Sequence, residues 1–338
     1  MIVATILVTG GAGYIGSHTC KRLAQEGFAP IVYDNLVAGH PWAVKWGPLE
    51  RGDIADRSRL DEVIRRYRPQ AVIHFAGCAY VGESVNAPWK YYRNNVSGSL
   101  VLQEAMHDHS VKTLIFSSSC STYGIPNITP ISESHLQNPV NPYGRTKLVV
   151  EQMLQDFAAA SDLRYVSLRY FNAAGADPDG EIGESHDPET HLIPLVLEVA
   201  SGHRAHIDVY GTDYRTEDGT AIRDYVHVTD LARAHVLALK YVTGGGKSLA
   251  LNLGTGRGYS VRDIIKAAER ATGAQINARD CARRPGDPAK LVADATASAQ
   301  ILGWRPEHSD IVDILETAWR WHSKARIEPV SRDLSHRR

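Results

Sequence analysis

Ile6-Leu7-Val8-Thr9-Gly10-Gly11-Ala12-Gly13-Tyr14-Ile15-Gly16 is the stretch that decides how this chain folds. Its first residues form a short apolar run of the kind that makes a strand buried on both faces. Gly10, Gly13 and Gly16 then punctuate the entry into a helical pattern that ends near Gly27. Glycines let the main chain turn tightly and come close to a pyrophosphate, while free N–H groups at the helix start face its negative charge. The Gly-x-x-Gly-x-x-Gly spacing differs by one residue from the simplest such fingerprint. Taken alone, it is also what an ordinary strand–helix turn can carry.

Asp34 closes the next apolar run, Ile31–Tyr33, about 20 residues downstream, where a carboxylate accepts hydrogen bonds from ribose hydroxyls and repels a 2′-phosphate. That favours NAD over NADP. Ala71–Phe75, Thr113–Phe116 and Tyr165–Leu168 continue the series of short strands, with helical periodicity between them. The alternation predicts a Rossmann-like, doubly wound parallel sheet of the α/β class, joined to a smaller α/β substrate-binding domain. Gly52-Asp53-Ile54 and Phe75-Ala76-Gly77 stand where further cofactor contacts belong, although each also reads as a plain turn, and Phe75 as packing.

After Asn172 the pattern loosens into Gly175–Gly180 and Glu184-Ser185-His186-Asp187-Pro188-Glu189, polar and turn-rich. The expected division is a cofactor domain over 1–173, with 222–254 returning to it through the strand-like Leu249–Leu253, a second domain over 174–330, and a tail over 331–338. Amphipathic helices are expected at Leu192–Ser201, Val228–Tyr241, Ser260–Thr272 and Ile311–Ser323.

Across 338 residues, 37 Lys and Arg stand against 38 Asp and Glu, so no general field gathers nucleic acid or anionic lipid. Cys20, Cys78, Cys120 and Cys281 are widely spaced without a CxxC pair, which reads as reduced cytosolic thiols and no metal. No apolar run approaches the roughly 20 residues of a membrane span, and the N-terminal segment reads as a buried strand. A soluble, cytoplasmic protein is expected.

Tyr143-Gly144-Arg145-Thr146-Lys147 puts a phenol and an ammonium one helical turn apart on one face. A free tyrosine titrates near pH 10, and a neighbouring positive charge favours its phenolate, which makes Tyr143 a candidate base and Lys147 its tuner. Upstream, Ser117-Ser118-Ser119-Cys120-Ser121-Thr122 follows a strand as a hydroxyl-rich turn, at the sheet edge where such folds bind ligands. Ser119 is the candidate partner for a reacting oxygen. Each feature has an ordinary structural explanation, and the conjunction points to catalysis.

With these residues in place, the chain resembles the UDP-glucose 4-epimerases of the extended short-chain dehydrogenase/reductase family. The likeness runs from Thr9 to about Trp321 through Gly82-Glu83-Ser84, Asn94-Asn95-Val96, Arg169-Tyr170-Phe171-Asn172, Arg223-Asp224-Tyr225 and Arg283-Arg284-Pro285-Gly286-Asp287. The resemblance implies that Tyr143 takes the proton of the sugar 4-hydroxyl while C4 gives hydride to NAD. The 4-keto sugar then turns over and is reduced on its opposite face, with Ser119 orienting the oxygen and Lys147 holding the nicotinamide ribose. It further implies cofactor contacts from Tyr14, Ile15, Asn35, Asp53, Ile54, Ala76, Gly77, Asn95, Ser117 and Tyr170. UDP-sugar contacts are implied for Asn172, His191, Leu192, Val209, Tyr210, Arg223, Arg284, Asp287 and Leu291. A homodimer through helices around Trp89–His107 and Pro142–Ala158 is also implied.

Some positions depart from the family. Ala79 stands where some members have lysine, and His191 where some have asparagine. Leu291 occupies the gate for the sugar's C2 substituent, where a tyrosine excludes N-acetyl groups, so UDP-GlcNAc becomes an alternative substrate. Ala79–Ser84 and Ala318-Trp319-Arg320-Trp321 are also similar to UDP-xylose/UDP-arabinose 4-epimerases. A 4,6-dehydratase needs a carboxylate pair after the active-site hydroxyl, and Ser119–Thr122 has none. A non-catalytic NAD sensor would have no need of both Tyr143 and Lys147.

Overall fold

A computed structural model describes residues 3–284 and 286–327, the side chains of 325–327 excepted, so the expected tail at 331–338 lies outside the described residues. Seven strands form one parallel sheet in the order Leu249–Leu253, Arg164–Tyr170, Thr113–Ser119, Ala71–His74, Thr5–Thr9, Ala29–Asp34, Leu49–Arg51. Consecutive strands first step outward from Thr5–Thr9 in one direction, then in the other. The order therefore reverses between Thr5–Thr9 and Ala71–His74, and a crevice opens at the carboxyl ends of those two strands.

The period-two alternation of strand side chains sorts the apolar runs onto two faces. Ile6, Val8, Ile73, Ile115, Val166 and Leu168 share one core with the helices Tyr14–Gln25 and Val228–Thr243. Leu7, Val72, Leu114, Phe116 and Tyr165 share the other with residues of Arg57–Tyr67, Gly98–Asp108 and Pro142–Ala160. Burial on both faces explains why these strands read as unbroken apolar segments.

A third core gathers Ile193, Val196, Val209, Tyr225, Ile264, Ile314 and Leu315 around the helices Leu192–Ala200, Val261–Thr272 and Ile311–Ile327. The Val261–Thr272 helix starts with a capping box, Ser260 Oγ accepting from Asp263 N and Asp263 Oδ2 accepting from Ser260 N, both at 3.0 Å. Three small sheets accompany this core. The described residues of the expected second domain do not pack as one piece. Leu302 and Trp304 sit in the core of the large sheet, and Trp304 Nε1 donates to the Asp230 carbonyl at 2.9 Å. Conversely, Ile222–Arg223 pairs with Tyr259–Ser260 and Lys290–Leu291, away from the large sheet.

The strand expected to end at Phe116 continues to Ser119, so the three serines belong to the sheet and not to a turn. Their hydroxyls find partners in place, Ser117 with Tyr170, Ser118 with Glu151 and Ser119 with the Ser121 amide, so the strand can run on past its apolar residues. The turn itself is Cys120–Thr122. Among the described residues no helix is long and apolar enough to cross a membrane.

Candidate active site

Gly10 has φ +72°, and a Cβ there would lie 2.5 Å from the Ala76 amide nitrogen; at Gly16 it would lie 2.2 Å from the Gly10 carbonyl. Both positions therefore exclude every side chain. Gly13 caps the Tyr14–Gln25 helix with no side-chain acceptor, so the first-turn N–H groups are left for an anion. This bare, close-approaching turn at the reversal point fits the pyrophosphate of a dinucleotide.

Asp34 ends its strand 7% exposed, its carboxylate accepting from Ala12 N at 3.0 Å and Leu36 N at 2.8 Å. Burial raises its pKa, and these two amides oppose the rise. Asn35 Nδ2 donates to Asp53 Oδ2 at 2.8 Å, so Asp34, Asn35 and Asp53 gather at one end of the crevice. Ile54 is buried under Gly98, and the partly buried Phe75 packs against His235 with ring centroids 4.6 Å apart. Asn95 is a clamp, accepting from Cys78 N at 2.8 Å and donating to Cys78 O and Thr146 Oγ1 at 3.0 Å each. It ties the Gly77–Cys78 loop to the helix that carries Tyr143.

That helix, Pro142–Ala160, opens on an Asn141 cap whose Oδ1 accepts from Gly144 N at 2.8 Å, with Pro142 in the first position. The cap fixes where the helix begins and so places Tyr143 beside Ser119, with Lys147 one turn on. All three are buried, at 8%, 6% and 5% exposure. Lys147 Nζ donates to the Ser117 carbonyl at 2.8 Å and lies 4.9 Å from the Phe116 ring and 5.9 Å from the Tyr143 ring. Burial pushes Lys147 down to about 8.

Burial pushes the Tyr143 phenol upward, with Tyr170 adding to the rise and a hydrogen bond with Ser119 opposing it. The lowering by Lys147 that the spacing suggested is not the dominant effect in the chain alone. The ammonium reaches toward a carbonyl, and desolvation outweighs it. Ser117 Oγ and Tyr170 OH are 2.6 Å apart, and burial takes Tyr170 up to about 12.

The positions expected to meet UDP divide. Arg223 and Asp287 form an ion pair with each other, so neither is a free charged group. Arg284 stacks 4.1 Å over the Tyr210 ring. The Val209 side chain is fully buried in the third core, which leaves its main chain as the part that can meet a ligand. Its neighbours on the strand alternate outward, which is why Tyr210 is exposed and Val209 is not. Leu291 packs against the group containing Cys120, Ile131 and Phe171, next in sequence to Ser119. Asn172 N donates to the Asp224 carbonyl at 2.9 Å, and His191 and Leu192 open the Leu192–Ala200 helix.

Sequence reasoning gave no role to several polar groups. The Asp224 carboxylate, wholly buried, accepts from Thr255 N, Thr255 Oγ1, Gly256 N and Ala293 N, and so stitches three segments together behind the crevice. Glu151 and Arg169 form a buried ion pair, Arg169 Nε lying 3.0 and 3.1 Å from the two carboxylate oxygens, and Glu151 also accepts from Ser118 Oγ. Glu151 stands four residues after Lys147 on one helix face, the signal that could have found it.

A parallel sheet with a bare glycine turn at its reversal point, and a buried Ser–Tyr–Lys set across the crevice, define a dinucleotide-dependent enzyme that moves a proton and a hydride. Residues 6–254 match the family described as "NAD dependent epimerase/dehydratase family". The chain belongs to that family. It is 54% identical over 319 residues to a UDP-glucose 4-epimerase of Rhizobium meliloti (strain 1021), covering 94% of this chain and 97% of that one. A crystal structure of UDP-glucose 4-epimerase from Brucella ovis in complex with NAD is 56% identical, with TM-score 0.92 over 94% of this chain and 98% of that one. A UDP-Glc/GlcNAc 4-epimerase from Campylobacter jejuni is 36% identical, with TM-score 0.83 over 95% and 99%.

The Lys147 shift predicts a pH signature. Its folded pKa lies below its ordinary 10.5, so between about 8 and 10.5 the unfolded chain binds more protons and stability rises with pH. In the cofactor-stripped chain, the stability of wild type minus that of Lys147→Met is expected to be flat below pH 8. It then climbs by about 3 kcal/mol up to pH 10.5, read from denaturant titrations. A difference that stays level across this window contradicts the desolvated ammonium.

Proposed function

We propose that this chain catalyses the NAD-dependent 4-epimerisation of a UDP-sugar, interconverting UDP-glucose and UDP-galactose through a transient 4-keto sugar. The observation that carries the reading is the buried Ser119–Tyr143–Lys147 set facing the glycine turn, in a chain whose relatives of about half identity are UDP-glucose 4-epimerases. Bound NAD would supply the hydride acceptor and donor for C4. Gly10, Gly13, Tyr14, Ile15 and Gly16 would hold its pyrophosphate, and Asp34 its ribose, with Asn35 and Asp53 alongside.

Tyr143 exchanges a proton with the oxygen on C4, accepting it as the ketone forms and returning it as the alcohol reforms on the opposite face. Net redox change is zero. Ser119 holds that oxygen beside the phenol. Lys147, pushed down to about 8 by burial yet still largely an ammonium at neutral pH, keeps a positive charge beside Tyr143 that favours its phenolate. The raised pKa of Tyr143 makes it a competent donor in the return step, and positive charge brought into the crevice favours the phenolate needed in the forward one. Arg284, Tyr210 and the Arg223–Asp287 pair, with Asn172, His191 and Leu192, would hold the nucleotide. The cofactor half is assigned to 1–173 with 228–254, and the nucleotide half to most of 174–327.

Incubation with UDP-galactose without added NAD, with products separated by chromatography, tests the activity. Tyr143→Phe is expected to lose at least about 10²-fold in kcat while retaining its NAD. Undiminished turnover removes Tyr143 from the chemistry.

Leu291, packed beside Cys120 and smaller than a tyrosine, leaves room at C2 for an N-acetyl group, as in a UDP-GlcNAc/UDP-GalNAc 4-epimerase. Leu291→Tyr is expected to cut UDP-GlcNAc turnover by roughly tenfold or more and to spare UDP-galactose. Equal loss on both sugars defeats this reading of the pocket.

We assign the chain to a homodimer in the cytosol. Val81, Val85, Trp89, Tyr92 and Leu100 expose apolar surface on consecutive helical segments, Trp89 at 69%, and the four cysteines are free. Trp89→Glu is expected to halve the sedimenting mass. An unchanged mass places the interface elsewhere.

A further inference from the structure

The polar segment after Asn172 folds into a cluster of which only His191 has a place in the reading above. Glu184, His186, Glu189 and His191 each bring one donor atom within 4.8 Å of all the others. We propose that these four side chains form a binding site for a divalent transition cation of the zinc type.

The geometry is that of a small polyhedron of donors. A tetrahedral ion with metal–ligand bonds of about 2.0–2.1 Å needs donors about 3.3 Å apart. His186 Nδ1 lies 3.3 Å from Glu184 Oε1 and 3.5 Å from Glu189 Oε2, and His191 Nδ1 lies 4.0 Å from Glu189 Oε1. One edge, His191 Nδ1 to Glu184 Oε1, is closed to a 2.5 Å hydrogen bond. His186 Nδ1 is buried and faces both carboxylates at ion-pair distance, with neither in good hydrogen-bond geometry. A buried ring nitrogen held between two carboxylates is an arrangement that a divalent cation can enter by displacing the imidazole proton.

Two imidazoles and two carboxylates form a borderline N2O2 set, suited to zinc or cobalt and not to magnesium or calcium, which take oxygen. The surroundings hold the ligands from behind. Glu189 Oε1 accepts from Thr190 N and His191 N at 2.7 and 2.9 Å, and the Glu184 carbonyl accepts from Trp321 Nε1 at 3.0 Å. The rings of Tyr14 and Tyr80 meet His186 edge-on at 6.5 and 5.9 Å and wall the cluster on the cofactor side. A cation here ties together the two ends of the loop that opens the Leu192–Ala200 helix, beside the ring of Tyr14.

The test uses the full chain, freed of metal by chelator and dialysed. Zn²⁺ affinity is measured by equilibrium dialysis, and site geometry by the visible absorption of Co²⁺, for wild type, His186→Ala, His191→Asn and Glu184→Gln. Circular dichroism and NAD content select the variants that fold, and none of these readouts depends on turnover, so the result stands apart from the epimerase reading. The expected result is one Zn²⁺ per chain, a four-coordinate Co²⁺ spectrum without a thiolate charge-transfer band, and at least about tenfold weaker binding in every folded variant. No uptake, affinity unchanged in the folded variants, or a thiolate band from the cysteines overturns the site.

Discussion

The main chain at Gly10 passes so close to that at Ala76 that a single carbon atom between them would stand 2.5 Å from a backbone nitrogen. This contact joins the carboxyl ends of two adjacent strands at the point where the sheet order reverses, and the crevice depends on it. The dinucleotide turn, the Asp34 carboxylate and the Tyr143 helix are all arranged around that gap. The glycine is required twice, because φ is positive there and no Cβ has room.

The other side of the crevice is held by buried charge. Glu151 and Arg169 lock the helix of Tyr143 and Lys147 to the strand ends of Ser117–Ser119 and Arg169–Tyr170, which are in register. Taking either partner away leaves the other charged and desolvated, a cost of about 3–5 kcal/mol, so the pair can break only with the packing around it. Asp224 does the same for the second body, gathering the amides of Thr255, Gly256 and Ala293. The reacting groups are thus positioned by polar contacts one layer behind them.

Much of the architecture was legible along the chain. Strand runs buried on both faces, a glycine turn after the first, an acid closing the second and a Tyr–Lys pair one turn apart are local patterns, and local patterns survive in a linear text. The capped starts of the helices at Asn141 and Ser260 are of the same kind. Less legible was where each polar side chain spends its hydrogen bonds. Asp287 is engaged by Arg223 from 64 positions away, and Val209 turns inward while Tyr210 turns out. The serines after Phe116 remain strand because Tyr170, Glu151 and the Ser121 amide answer them.

The sequence by itself determined the class of fold, the cofactor turn and the spacing of Tyr143 and Lys147, because each depends on neighbours within a few residues or on the period of a helix or strand. Only the tertiary structure decided that Lys147 is desolvated against the Ser117 carbonyl, that Leu302 and Trp304 return to the core of the first sheet, and that two glutamates and two histidines converge at one point. These are matters of burial and of contacts between distant segments, where the balance of desolvation and pairing is set by what the folded chain brings alongside.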